Sequence, residues 1–121
     1  MKNILIIESN TDIRENIAEL LELRQFNILT AENGLLGFKS AKTNIPDIII
    51  CDLLAPQTAG ETFLSLAVWD EATRYIPLIL FIADSTGTDN RYHSSGTYKK
   101  YIQKPFSDEV LIHAINESLA V

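Results

Sequence analysis

Cysteine is almost missing from this 121-residue chain: Cys51 stands alone. That excludes an internal disulfide and a thiolate-rich metal centre, and it suits a reducing cytosol. Long hydrophobic runs are missing as well. The longest wholly apolar stretches are Ile4–Ile7, Ile48–Cys51 and Leu78–Ala83, far short of a bilayer's thickness. Met1-Lys2-Asn3 leads straight into the first of them without the shape of a signal peptide. Positive charge is scarce: ten Lys and Arg face sixteen Asp and Glu, for a net charge of −6. That balance opposes attraction to nucleic-acid phosphates and to an anionic membrane surface. What is present, 46% apolar and 21% charged residues, is the composition of an ordinary globular chain. One cytoplasmic domain over residues 1–121 is expected, with neither nucleic acid nor membrane as its partner.

Two kinds of segment alternate along the chain. Ile4–Ile7, Asp47–Asp52 and Leu78–Ala83 have the continuous apolar character of strands buried on both faces, with weaker candidates at Phe26–Ala31 and Tyr101–Gln103. Between them the spacing turns helical. Ile13, Ile17, Leu20 and Leu21 share one face, and Asn10 or Thr11 offers a cap. Two middle helices are predicted at about Gly34–Lys42 and Gly60–Ala72, each followed by a proline (Pro46, Pro77) ahead of the next strand. In the last helix Leu111, Ile112, Ile115 and Leu119 line one side, Ser107 caps, and Asp108 and Glu109 favour the first turn electrostatically. Strands that alternate with helices in this way imply a parallel sheet covered on both faces, joined by right-handed crossovers.

Residues 84–100 break the pattern. A fourth helix belongs there, yet Tyr92 and Tyr98 are its only large apolar side chains, among Gly87, Gly96 and many Ser, Thr, Asp and Asn. Such residues compete for backbone hydrogen bonds, so that helix is expected to be short and weak.

In an open parallel sheet, ligands bind beyond the carboxyl ends of the strands. Glu8 follows the first strand, Asp52 closes the third, and Lys104 lies just past the fifth. A carboxylate that ends a buried strand is poorly solvated unless it has a partner or a task. The ordered set Ile4–Glu8, Arg14, Pro46–Pro56 with Gly60, Ile76-Pro77, and Tyr101-Ile102-Gln103-Lys104-Pro105-Phe106 resembles the receiver domain of bacterial response regulators over essentially the whole chain. The resemblance implies a flavodoxin-like, doubly wound, five-stranded parallel sheet of order 2-1-3-4-5, with helices on both faces. It also implies a signalling module of the two-component phosphorelay rather than an enzyme. By the same resemblance, Asp52 is the phosphoacceptor and Lys104 contacts the phosphoryl group. Glu8, Asp52 and the Leu54 carbonyl hold Mg2+, and a histidine kinase or another signalling protein is the partner.

The sequence departs from the family pattern at the places that carry its chemistry. Ser9 stands where a second acid is usual, removing a charge beside the ion, so Mg2+ binding is expected to be weak or absent. At a separation of ~4 Å such a charge is worth roughly 1 kcal/mol in water and about 4 kcal/mol at an intermediate dielectric. Ile82 replaces a Ser or Thr whose hydroxyl donates to the phosphoryl group and couples it to the aromatic residue at Tyr101. Ala55, Thr58, Ala59 and Thr97-Tyr98 depart as well. Two versions therefore stand open: a receiver impaired in metal binding and switching, and a pseudo-receiver that binds partners without phosphorylation.

A ligand binder on the same fold is disfavoured, because Ser9-Asn10-Thr11-Asp12 is no glycine-rich phosphate loop. His93 and His113 are expected at the surface, Cys51 as a small core residue, Trp69 partly buried on the third helix, and Lys99-Lys100 as a solvated pair.

Overall fold

The computed structural model describes residues 1–53, 59–82 and 98–120. The elements run β1 (Asn3–Ile7), α1 (Thr11–Leu23), β2 (Asn27–Ala31), α2 (Gly34–Asn44), β3 (Ile48–Asp52), α3 (Ala59–Ala67), β4 (Leu78–Ile82), β5 (Lys99–Gln103) and α4 (Asp108–Leu119). The five strands form one parallel sheet in the order β2-β1-β3-β4-β5, as the resemblance implied. The weak helix expected within 84–100 falls mostly outside the described residues.

Successive strand residues point to opposite faces, and both faces are covered. Leu5, Ile7, Ile49, Cys51, Leu78 and Leu80 pack on one side with Phe63 and Leu64 of α3 and Ala41 of α2. Ile4, Ile6, Ile48, Ile50, Ile79 and Phe81 pack on the other with Ile17 and Leu21 of α1 and Leu111 and Ile115 of α4. Cys51 is buried, and desolvation pushes its thiol upward, so it stays protonated and packs as a small apolar side chain.

The starts of α1, α2 and α4 follow side-chain capping. Asn10 Oδ1 accepts from Ile13 N at 3.0 Å, Asn33 Oδ1 from Leu36 N at 2.8 Å, and Ser107 Oγ from Val110 N at 3.3 Å. α2 lies so close to β1 that a Cβ on Gly37 would meet Ile7 Cδ1 at 2.5 Å. The helix ends at Ile45, which holds a left-handed backbone with φ 44°.

The structure corrects three local expectations. α3 stops at Ala67 rather than Ala72. The Thr73 hydroxyl, itself buried, donates to the Ala67 carbonyl at 2.8 Å, and Asp70 Oδ1 accepts from Ala72 N at 2.8 Å, so side chains replace the helical ladder. Trp69 consequently lies past the helix and is 81% exposed, while Val68 turns inward. Lys99 and Lys100 are not simply solvated: they open β5, half-buried, and Lys100 Nζ pairs with Glu117 of α4 at 3.3 Å. Desolvation lowers the pKa of Lys99. Charged residues suit an edge strand, which is why β5 lacks the apolar signature of the others.

Candidate functional site

The carboxyl ends of β1, β3 and β5 bring the sequence-nominated residues to one rim. The connection leaving β1 runs outward to β2 and the one leaving its neighbour β3 runs the other way to β4, so the two diverge and open a crevice between β1 and β3. Ile7 pairs with Cys51, which places Glu8 and Asp52 side by side at the next step of the register. Glu8 is only 4% exposed. Its amide donates to Ala31 O at 3.1 Å, and its carboxylate Oε2 accepts from Asn10 N at 3.1 Å. Arg14 Nη1 donates to the Glu8 carbonyl at 2.7 Å, which fixes the turn between strand and helix.

Glu8 Oε1 is buried and lacks a hydrogen-bond donor. Burial raises the Glu8 pKa, the Asn10 N–H opposes that rise, and the neighbouring Asp52 carboxyl adds to it. The Lys104 ammonium pulls the other way, so its field reaches the same crevice. Glu8, Asp52 and Lys104 thus share one electrostatic neighbourhood.

Lys104 is held through its backbone, whose N–H donates to Ile82 O at 3.0 Å, and its peptide bond to Pro105 is cis. Its ammonium stands over the Phe81 ring, 5.2 Å from the centroid. Phe81 in turn packs against Phe106 with ring centroids 4.8 Å apart. Ile82 ends β4, 5% exposed, and offers no hydroxyl toward the rim. Tyr101 is half-buried against the cluster that contains Leu78 and Leu80. Ser9 is exposed. Leu54, Ala55, Thr58, Tyr92, His93 and Thr97 lie outside the described residues, and His113 is exposed as expected.

An orphaned buried oxygen on Glu8, beside a second carboxyl, has the hard anionic character that Mg2+ prefers. The set is thin. Among the described residues no group of three or more His, Cys, Asp or Glu gathers to hold a metal. Glu8 and Asp52 are the described residues at this rim whose chemistry fits a hard cation.

Arg14, singled out in the sequence only as part of the ordered set that carries the resemblance, braces the Glu8 carbonyl, and Phe81, which the sequence did not single out, lies under Lys104. Arg14 has a faint signal, since it sits one helical turn past the Asn10 cap. Phe81 looks like any core aromatic until the strands are assembled.

The response regulator receiver domain family matches residues 4–116. The chain belongs to this family. The receiver domain is 35% identical over 104 residues to Histidine kinase P4 of Formosa agariphila, covering 86% of this chain but spanning only 8% of the kinase. It is 28% identical over 120 residues to Protein PilH of Pseudomonas aeruginosa, covering 99% of both chains. Its fold matches the receiver domain of a Pseudomonas aeruginosa sensor histidine kinase, which has magnesium in its active-site cleft. That match has a TM-score of 0.81 at 21% identity, covering 99% of this chain and 98% of the other. Membership makes this a signalling module rather than an enzyme. No helix among the described residues is long and apolar enough to cross a membrane. A groove of about 570 Å³ runs between β5 and α4, lined by Tyr101, Phe106, Val110 and His113.

Proposed function

We propose that this domain takes a phosphoryl group on Asp52 inefficiently and passes the signal on through protein contact. The observation that carries the proposal is the meeting of Glu8 and Asp52 at the β1–β3 crevice within the field of Lys104. In the transfer, a carboxylate oxygen of Asp52 attacks the phosphorus of a kinase phosphohistidine in line. The P–N bond breaks and an acyl phosphate forms. Lys104 offsets charge on the phosphoryl oxygens as a mobile point charge. Glu8, Asp52 and the Leu54 carbonyl would hold a magnesium ion of the kind found in the Pseudomonas receiver domain, and that ion would supply further charge neutralisation. With a hydroxyl at Ser9, the expected ion affinity is low.

A second reading has its own support. Ile82 carries no donor at the point where the family couples phosphorylation to Tyr101, so a phosphorylated Asp52 would lack a differential contact between two states. The domain would then act as a pseudo-receiver, a phosphorylation-independent protein-interaction module. The groove beside α4 and the half-buried Tyr101 would form its contact face.

Incubation with acetyl phosphate or beryllofluoride plus magnesium, followed by intact mass and NMR, tests the first reading. Slow modification that vanishes in Asp52→Asn, with little movement of Tyr101, is expected. Labelling that survives Asp52→Asn overturns the acceptor assignment. Rapid stoichiometric labelling with large shifts across β4 and β5 overturns the impairment. No labelling at all leaves the pseudo-receiver.

A further inference from the structure

We infer that Phe81 is a positioning residue, whose ring face holds the Lys104 ammonium over the Glu8–Asp52 crevice. The value of that placement for phosphoryl transfer rests on the assignment of Asp52 as acceptor; the placement itself does not.

The ring is held by its neighbours. Phe81 is 2% exposed and belongs to the cluster formed with Ile50, Ile102 and Ile115. Phe106 backs it at 4.8 Å with a 33° interplanar tilt, an ordinary geometry for an aromatic pair. Its backbone is locked as well: Phe81 pairs with Asp52 in the β3–β4 register, and its carbonyl accepts from Leu53 N at 2.9 Å. One strand position therefore sets both the acid and the ring.

Lys104 is tethered to the same strand, because its N–H donates to Ile82 O at 3.0 Å. Its stem is a flexible chain with many rotamers, and a backbone anchor alone does not say where the ammonium rests. The Phe81 centroid, 5.2 Å away, lies inside the distance of about 6 Å over which a ring face attracts a cation. The ring's negative face holds the ammonium without neutralising it, whereas a carboxylate partner would cancel the charge that an arriving anion needs. Lys104 stays half-buried and still projects its field to Glu8. An anion reaching Asp52 meets a cation already in place, which spares the ordering cost at the moment of binding.

The test replaces Phe81 with 4-fluoro-, 3,5-difluoro- and 3,4,5-trifluorophenylalanine, which nearly keep the ring's shape while draining its negative face. In the free protein, the Lys104 Cε methylene should be shifted upfield by the ring and should lose order stepwise along the series. Phe81→Leu should abolish the upfield shift. Lys104 signals that lie at random-coil positions, or that keep the same order across the series, overturn the inference, since a merely structural ring would leave them unmoved. A second arm measures beryllofluoride binding with magnesium. The trifluoro variant should bind about threefold more weakly than the parent, and Lys104→Met should erase the dependence on fluorination. Tighter binding along the series overturns the inference, because the ring would then compete with the anion for the ammonium. A parent protein that fails to bind beryllofluoride counts against Asp52 as acceptor, while the methylene signals still decide the role of Phe81.

Discussion

Glu8 and Asp52 stand side by side at the ends of adjacent parallel strands, one register step beyond the Ile7–Cys51 pair. Two carboxyls in that position repel when both are ionised, and Glu8 is the more enclosed of the two, with one oxygen lacking a donor. The pair is a cost to the fold that the Asn10 N–H and Lys104 offset in part and that a bound cation or a proton relieves further.

Glu8→Gln should therefore stabilise the metal-free domain at neutral pH. The amide oxygen keeps the Asn10 N–H, and the amide nitrogen gives Asp52 a donor. Relief of a buried, unsatisfied group is worth about 1–3 kcal/mol. The sign of the pH dependence follows from the raised Glu8 pKa. Between the ordinary glutamate value of about 4.3 and the higher folded value, the native state holds a proton that the unfolded chain has released. Stability contributed by Glu8 is thus lost as pH rises through that window. Denaturant melts of both proteins should diverge from pH 4 upward, with the variant gaining. Parallel curves, or a less stable variant at neutral pH, would show that Glu8 is not strained.

Magnesium should reverse that order of merit, and Ser9→Asp should act in the opposite direction to Glu8→Gln. Ser9 is exposed and follows Glu8 directly, so a carboxylate there needs no room in the core and, on the metal site proposed above, adds charge beside the ion. A single charge at ~4 Å contributes roughly 1 kcal/mol in water and about 4 kcal/mol at an effective dielectric of 20. Magnesium titration by NMR should tighten at least several-fold. An unchanged curve would place residue 9 away from the ion.

How much of this was legible in the sequence depended on where the deciding interaction lies. β1, β3 and β4 announced themselves because both sheet faces are buried and their interiors, Ile4–Ile7, Ile48–Cys51 and Leu78–Ile82, are unbroken apolar runs. Glu8 and Asp52 stood out as acids ending such runs. The end of α3 was not legible, since Val68 and Trp69 continue an apolar pattern. What stops the helix is the Thr73 hydroxyl reaching back to the Ala67 carbonyl, six residues away. The start of β5 hid behind Lys99 and Lys100, whose stems lie along an edge strand. The contact between Lys104 and Phe81 joins residues on different elements, so no local pattern records it. Strand order came from family resemblance, because periodicity alone does not order strands.

Gly37 is a position where space, rather than backbone freedom, demands glycine. A Cβ there would meet Ile7 Cδ1 at 2.5 Å and Cγ1 at 2.8 Å, and Ile7 is fully buried in the sheet with little room to retreat. Gly37→Ala should raise helix propensity in α2 and still destabilise the domain. Overpacking of this kind costs about 1–3 kcal/mol, against about 1 kcal/mol gained from propensity. Chemical denaturation should show a net loss, and Ile7→Val on the Gly37→Ala background should recover part of it. A stabilised single variant would mean that α2 lifts off β1 without penalty.

Ile45 is the complementary case, where the backbone and not the space is at fault. It closes α2 at φ 44° and ψ 67°, a left-handed conformation that a β-branched side chain adopts at a cost. Its side chain is 51% exposed, so little burial is lost by replacing it. Its N–H donates to Ala41 O at 2.9 Å, a helix-ending bond that any residue other than proline keeps. Asparagine tolerates this conformation far better and caps helices in it. Ile45→Asn should stabilise the domain by about 1 kcal/mol, with the same denaturant slope and no change in magnesium binding, since the residue lies at the end of the sheet opposite the crevice. Ile45→Val keeps the β-branch and should gain nothing. If valine and asparagine give equal stability, the left-handed turn at the end of α2 carries no strain.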